Sequence, residues 1–351
     1  MELFIPFIYF GIVIVFVGVG CFGNLNVIWA TLRKKELRGK HGTLLFIVVC
    51  LHTACLFFEF LTMGFNLLFV ETGFKQLECA QITAVYFFAL TVQNVMALVI
   101  VLDLLIAISL PIKHRIWSIR IYIPLVCLPA VIIGCIFTSF AAIEGDPESI
   151  VLACTPLVSL EATVEKCWLW WNLAVNLAIL VLYGVITIII TMKAKEIAKK
   201  AVTQNACVMR KKTDEQKVLA SLSLLISVFE FSWCSYIICH IILSHTGLSK
   251  TPEAPLVQMF LSIFSLVCFS QSYYVCRIRS VEYRKAFKDQ IKILLCQKKK
   301  AKAKCKQEKA EKAEKETVPT TSGSNFRARA ASVGVVAAVK QIASFPRVES
   351  T

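Results

Sequence analysis

Residues 4–38 read FIPFIYFGIVIVFVGVGCFGNLNVIWATLRKKELR. The 29 residues from Phe4 to Leu32 carry no charge, and then Arg33, Lys34, Lys35 and Arg38 arrive together. At 1.5 Å per residue such a run exceeds the ~20 residues that cross a hydrocarbon core of about 30 Å. The run is too long for the apolar part of a secretory signal and has no basic flank before it. The cluster after it is that of a stop-transfer helix.

Six further blocks repeat the pattern along the chain, so that the spans lie at about 4–32, 42–70, 79–110, 121–143, 168–192, 217–243 and 254–276. They are apolar on all faces with no two-residue alternation, which suits helices in lipid and not barrel strands. Composition agrees: 57% of residues are hydrophobic and 17% charged, against about 25% charged in soluble domains. The expected fold is all-α, a seven-transmembrane helix bundle occupying residues 1–296.

Cation placement orients the bundle, because Lys and Arg near span ends are retained in the cytoplasm. Of 38 such residues, 35 follow spans one, three, five and seven, and only Lys75, Lys166 and Lys250 lie on the other side. Discounting the long tail still leaves 16 against 3. The N-terminus is therefore expected outside and the C-terminus in the cytoplasm, in a multi-pass plasma membrane protein. Net charge is +15, of which residues 277–351 supply +12. A basic tail beside the inner leaflet calls for anionic lipid, and nucleic acid is not an expected partner. No zinc finger, P-loop, dinucleotide fingerprint or H-E-x-x-H site occurs, so no metal, cofactor or enzymatic chemistry is expected.

Between Ser280 and Cys296, apolar Ala286, Phe287, Ile291, Leu294 and Leu295 alternate with Arg284, Lys285, Lys288 and Lys292. That is an amphipathic helix on the inner surface, with Cys296 either palmitoylated or a plain thiol. Residues 297–351 are Lys-, Ala- and Glu-rich, then Thr-, Ser- and Gly-rich, and are expected to be a disordered cytoplasmic tail.

Most of the 15 cysteines fall inside spans, where a thiol behaves as a small apolar group. Cys79 opens span three at its outer end, and Cys154 and Cys167 lie in the outer loop before span five. We take Cys79–Cys154 as the bridge, with Cys167 the rival partner, since spacing alone does not decide.

An ordered series of motifs resembles the rhodopsin-like G-protein-coupled receptors, and more closely the nematode chemoreceptors of class SRSX. Span one holds Gly23-Asn24, then Ile28, Ala30, Thr31 and a basic turn. Span three runs from Cys79 to Asp103-Leu104-Leu105-Ile106-Ala107, followed by Pro111 and a basic turn. Cys154-Thr155-Pro156 and Phe231-Ser232-Trp233 are similar to its C-x-P and F-S-W, and Ser272-Tyr273-Tyr274-Val275-Cys276 through Phe287 is similar to the stretch that ends its seventh span. The resemblance implies a chemosensory receptor that binds an extracellular small molecule or peptide within the bundle and engages a heterotrimeric G protein. Switch positions carry over to Asp103, Leu104, Pro111, Glu230, Ser272, Tyr273 and Cys276. At Leu104 the family places Arg, which favours an atypical, non-coupling receptor as the alternative. A transporter ranks lower, since no inverted repeat is present. The acid of span two is replaced by His52 or Thr53, and no sodium site of the usual kind is expected.

The resemblance places Tyr86 and Leu90, one helical turn apart, at ligand-facing positions. Tyr86 stands where amine receptors carry Asp, so simple biogenic amines are not expected to bind. Trp233, Tyr236 and His240 form a stripe on span six, for which ligand contact and core packing are both open readings. Glu59, Asp103 and Glu230 are the acids inside spans, and each requires a partner or water. Glu59 is expected near the ligand or in a buried structural bond. Asp103 is expected at the inner rim, touching cytoplasmic water or pairing with Arg115. Glu230 lies about 20 Å up from Lys217 and is expected protonated, bonded to another helix, or part of the switch.

Overall fold

Backbone polar groups in hydrocarbon must be satisfied within their own segment, and helices do this span by span. The structure is a computed structural model that describes residues 4–68, 73–145, 148–151, 153–201, 206–246, 254–293 and 295. Its helices are α1 (Phe4–Arg33), α2 (Lys40–Leu68), α3 (Gln76–Ser109), α4 (Pro111–Ile116), α5 (Ile119–Ile143), α6 (Ala162–Ala201), α7 (Ala206–His245), α8 (Ala254–Ser270) and α9 (Ser272–Arg279). A last helix, α10, covers 281–293. Six helices, α1, α2, α3, α5, α6 and α7, contain stretches long and apolar enough to cross a membrane. The pair α8 and α9, bent by 46° at their junction, makes the seventh span, and the chain is a seven-span helical bundle. The expectations for Cys296 and for the tail 297–351 lie outside the described residues.

Large apolar side chains face outward as lipid requires: Val15, Ile121, Val181 and Phe231 are each more than half exposed in the bare protein. The most buried helix is α3, which packs against α2, α5 and α6. Polar side chains join helices across the core. Asn94 donates to Asn172 at 2.7 Å, and the Trp168 indole donates to Thr91 at 2.9 Å. Such bonds average about 0.6 kcal/mol in lipid, so they specify register more than they stabilise.

The α8–α9 break sits at Gln271, between Ser270 and Ser272. Ser270 bonds back to the Leu266 carbonyl at 2.8 Å, a geometry that bends helices, and Asn24 of α1 donates to the Phe269 carbonyl at 3.0 Å. Helix α1 approaches here closely because Gly23 has no side chain. A Cβ at that position would stand 2.7 Å from the Tyr273 Cβ.

Two short devices cap the end of the bundle that the cation count assigns to the outside. Gly73, at φ +66°, turns the chain into β1 (Phe74–Lys75), which pairs antiparallel with β2 (Ile150–Val151). The disulfide is Cys79–Cys154, with a Cα separation of 5.5 Å, and Cys167 is free. Asn66 of α2 clasps Cys154 from both sides of its backbone, accepting from its N–H at 2.7 Å and donating to its carbonyl at 3.1 Å. At the inner end α10 buries Tyr283, Ala286 and Phe287 and exposes Arg284, Lys285 and Lys288. Thr31 and Tyr283 share a hydroxyl bond of 3.0 Å, and Lys34 pairs with Asp289 at 2.7 Å.

Candidate functional site

Glu59 lies in the outer half of α2 and is 7% exposed. A carboxyl there needs donors, and two neighbouring helices supply them. Tyr86 of α3 donates to one oxygen at 2.5 Å, and Tyr9 of α1 donates to the other at 3.3 Å. Around this junction is a cavity of about 30 Å³ walled by α1, α2, α3, α7 and α8, with loop residues Pro156 and Leu157 also lining it. The disulfide and the Asn66 clasp hold that loop in place.

Five residues singled out in the sequence meet in this wall: Glu59, Tyr86, Leu90, Tyr236 and His240. Trp233, grouped with them in the sequence, is fully buried and does not reach the cavity. Its stripe with His240 spans seven residues, about 10 Å of helix, so the lower end falls beneath the space that the upper end lines. Trp233 instead stacks under Tyr236 with centroids 5.2 Å apart, and on Phe229 at 6.5 Å. Among the lining residues not singled out are Tyr9, Met63 and Asn66. Met63 and Asn66 follow Glu59 by four and seven positions and share its helical face, a signal the sequence did contain. Tyr9 carries none beyond its hydroxyl, because α1 is apolar all round.

In the loop before α6 the Glu161 carboxylate accepts from the Thr163 N–H at 2.6 Å and the Val164 N–H at 3.4 Å. The Thr163 backbone bond, first among several, holds this carboxyl below the usual glutamate range, so it is ionised at neutral pH. Among the described residues no Lys or Arg lines the cavity wall.

The inner end holds a second polar centre. Asp103 has no exposed side-chain surface and does not touch cytoplasmic water or Arg115. It contacts His41 of α2, His114 Nε2 of α4 at 2.7 Å, and the Tyr122 hydroxyl of α5 at 2.6 Å. Pro111 at the start of α4 explains the difference, since the turn it begins points His114 inward and leaves Arg115 exposed. Leu104, beside Asp103, is buried in the apolar core. Glu230 is buried, and both its oxygens lack a hydrogen-bond partner among the described residues. Ser272 meets His52 Nδ1 at 3.4 Å, which identifies His52, rather than Thr53, as the residue facing α9. Tyr273 accepts from Arg277 at 3.0 Å and packs on Phe287. Cys276 lines an inner cavity of about 560 Å³ together with His41, His114, Val275 and Tyr283.

A family model described as Serpentine type 7TM GPCR chemoreceptor Srsx matches residues 17–291. The chain belongs to that family. No curated protein matches it. The receptor's match runs from α1 into α10, so it takes in Glu59, Asp103, Glu230 and the α8–α9 break, while Tyr9 precedes it. Membership makes the protein a multi-pass membrane receptor of the serpentine chemoreceptor kind.

Proposed function

We propose that the receptor resides in the plasma membrane with its N-terminus outside, binds an extracellular small molecule or peptide at the Glu59 cavity, and signals to a heterotrimeric G protein. The observation that carries this reading is the convergence of Tyr9, Tyr86 and Glu59 in an enclosed space beneath a disulfide-tethered loop. A continuous column of rings leads downward from that space. His240 meets Tyr236 at 4.5 Å, Tyr236 meets Trp233 at 5.2 Å, Trp233 meets Phe229 at 6.5 Å, and Phe229 meets His52 at 6.1 Å. A ligand that displaces Tyr236 therefore presses on packed rings with few alternative arrangements, and α7, which carries four of them, is the element that moves. Glu230 lies one turn below Trp233 and travels with it.

The test is a reporter cell expressing the full chain and challenged with a broad panel of odorants and peptides. A ligand-dependent response that Tyr236→Ala removes without loss of surface protein supports the reading. Ligand-evoked current or flux in proteoliposomes, with no second-messenger response, refutes it.

One observation favours a second reading, a receptor that binds without coupling. Leu104 occupies the family's Arg position, and Asp103 already contacts His41, His114 and Tyr122. Ligand binding without G-protein recruitment, with recruitment gained on Leu104→Arg, would establish it.

A further inference from the structure

We propose that the ligand presents a primary ammonium group to Glu59. The inference rests on the reading of the cavity as the ligand site and adds the chemistry of what enters it. Among the described residues Glu59 is the single acid in the wall, and no Lys or Arg lines the same space. Its partners are two neutral phenols, so no cation of this chain, among the described residues, neutralises it. A buried carboxylate without a counter-ion is costly, and a ligand that brings the missing positive charge recovers that cost on binding.

The other polar groups of the wall point the same way. Both amide atoms of Asn66 are taken by the Cys154 backbone, and the hydroxyls of Ser262 and Ser265 donate to main-chain carbonyls of their own helix. Among the described residues one open group is His240, 4% exposed, whose Nε2 has no partner, and the Gln258 amide and the Tyr236 hydroxyl also line the wall. An R–NH₃⁺ head donates to the free lone pairs of Glu59 and to His240 in the tautomer that leaves Nε2 unprotonated. Three tyrosines, Tyr9, Tyr86 and Tyr236, complete the wall with the aromatic surface that attracts organic cations.

Hydrogen bonding selects within the class. A primary ammonium head brings three N–H donors to Glu59 and His240, whereas a trimethylammonium head brings none. Charge outside favours the same ligand. Among the described residues of the outer loops and span ends, Glu78, Glu144, Glu148, Glu161 and Glu165 face only Lys75 and Lys166, a field that concentrates cations at the mouth. Tyr86 fills the place of the acid of amine receptors, which in the sequence argued against simple amines; its hydroxyl is bound to Glu59, and an ammonium ligand at Glu59 reverses that expectation. The acid has moved from the third span to the second and approaches the same space from the side.

The experiment uses the purified full chain in lipid nanodiscs and follows thermal unfolding by tryptophan fluorescence. The probes are phenethylammonium, its N-trimethyl analogue, neutral 2-phenylethanol and anionic phenylacetate. Phenethylammonium is expected to raise the unfolding midpoint in a saturable way. The trimethyl analogue is expected to bind at least tenfold more weakly, and the neutral and anionic probes are expected to have no effect. Glu59→Gln keeps a carbonyl for the tyrosines and is expected to lower the ammonium affinity at least tenfold. Glu59→Asp, which keeps the charge, retains the preference for ammonium. Equal stabilisation by 2-phenylethanol, or unchanged ammonium affinity in Glu59→Gln, overturns the proposal. Stabilisation by the neutral or anionic probe alone, abolished by Tyr236→Ala, removes the ammonium and leaves the cavity as the ligand site. Silence from all four probes counts against both.

Discussion

Replacing Asp103 by Ala removes one acceptor from three groups at once, the Tyr122 hydroxyl at 2.6 Å, His114 Nε2 at 2.7 Å and His41. The consequences are unequal. The Tyr122 residue is buried, while the His114 and His41 side chains keep 14% and 32% of their surface and can turn toward water. Breaking a buried charged pair costs about 3–5 kcal/mol, and the partial exposure of the histidines places Asp103→Ala near the lower end. Tyr122→Phe removes one charge-assisted bond and leaves no donor stranded, a loss of about 1.5–2 kcal/mol. In the double variant the tyrosine change has nothing left to lose, so its cost equals that of Asp103→Ala alone. The coupling between the two sites is then about 1.5 kcal/mol. Detergent unfolding of the full chain in mixed micelles, followed by tryptophan fluorescence, measures all four corners of the cycle. Arg115→Ala, which lies outside the cluster, is expected to stay within about 0.5 kcal/mol of the parent. Additive effects of Asp103→Ala and Tyr122→Phe, or a large effect of Arg115→Ala, would refute the assignment of partners.

The outer cap offers a second test. Asn66→Ala strips two bonds from the Cys154 backbone and is expected to cost about 1–3 kcal/mol, read as faster protease cleavage of the outer loop. Cys154→Ser opens a closure of 75 residues and should lower stability by about 2–4 kcal/mol, read as lost surface delivery. Gly23→Ala drives a Cβ against the Tyr273 side chain, whereas the Cβ of Gly18→Ala meets nothing within 4 Å. The first should destabilise by about 1–3 kcal/mol and the second should be neutral in the same unfolding assay. At the inner end the Lys34 ammonium holds the Asp289 carboxyl below the usual aspartate range. A depressed carboxyl contributes above its unfolded value and loses that contribution as pH falls through the lowered one. Amide exchange in α10 should therefore accelerate only at acid pH, and Asp289→Asn should remove that dependence.

The bundle was legible because lipid imposes one requirement on every span, an uninterrupted apolar length, and residues 4–32 already state it. The disulfide was legible as a choice of two partners, and the fold decides between them because the Asn66 clasp and the β1–β2 pairing bring Cys154, not Cys167, to the end of α3. That pairing of two residues per strand is too short to leave a pattern in sequence. The partners of Asp103 were misread for a related reason. Charge alone nominates Arg115, but the inward direction is fixed by the turn starting at Pro111, and a direction one residue away is not a property of composition. Tyr9 shows the remaining limit, since a helix apolar on all sides gives no periodicity from which to tell its inward face.

The two polar centres restrain different parts of the bundle, and this bears on how the missing arginine matters. His41, His114 and Tyr122 tie Asp103 of α3 to α2, α4 and α5. None of these bonds reaches α7. Among the described residues, α7 is held instead by packing against α6, α8 and α9, with ring contacts from Phe229 to His52 and from Trp233 to Phe269, and it carries Glu230, whose carboxyl oxygens have no partner. An unpartnered buried acid lowers the stability of the arrangement it occupies, so the resting position of α7 is the weaker of the two. Leu104→Arg adds a cation beside an acid that already contacts three partners, and leaves the seat of α7 untouched. Glu230→Gln changes that seat directly. It should stabilise the resting arrangement and raise the ligand concentration needed for a response, while Leu104→Arg alone should leave the ligand affinity as it is. A Glu230→Gln receptor that responds at lower ligand concentration than the parent would show that the unpartnered carboxyl belongs to the active arrangement instead.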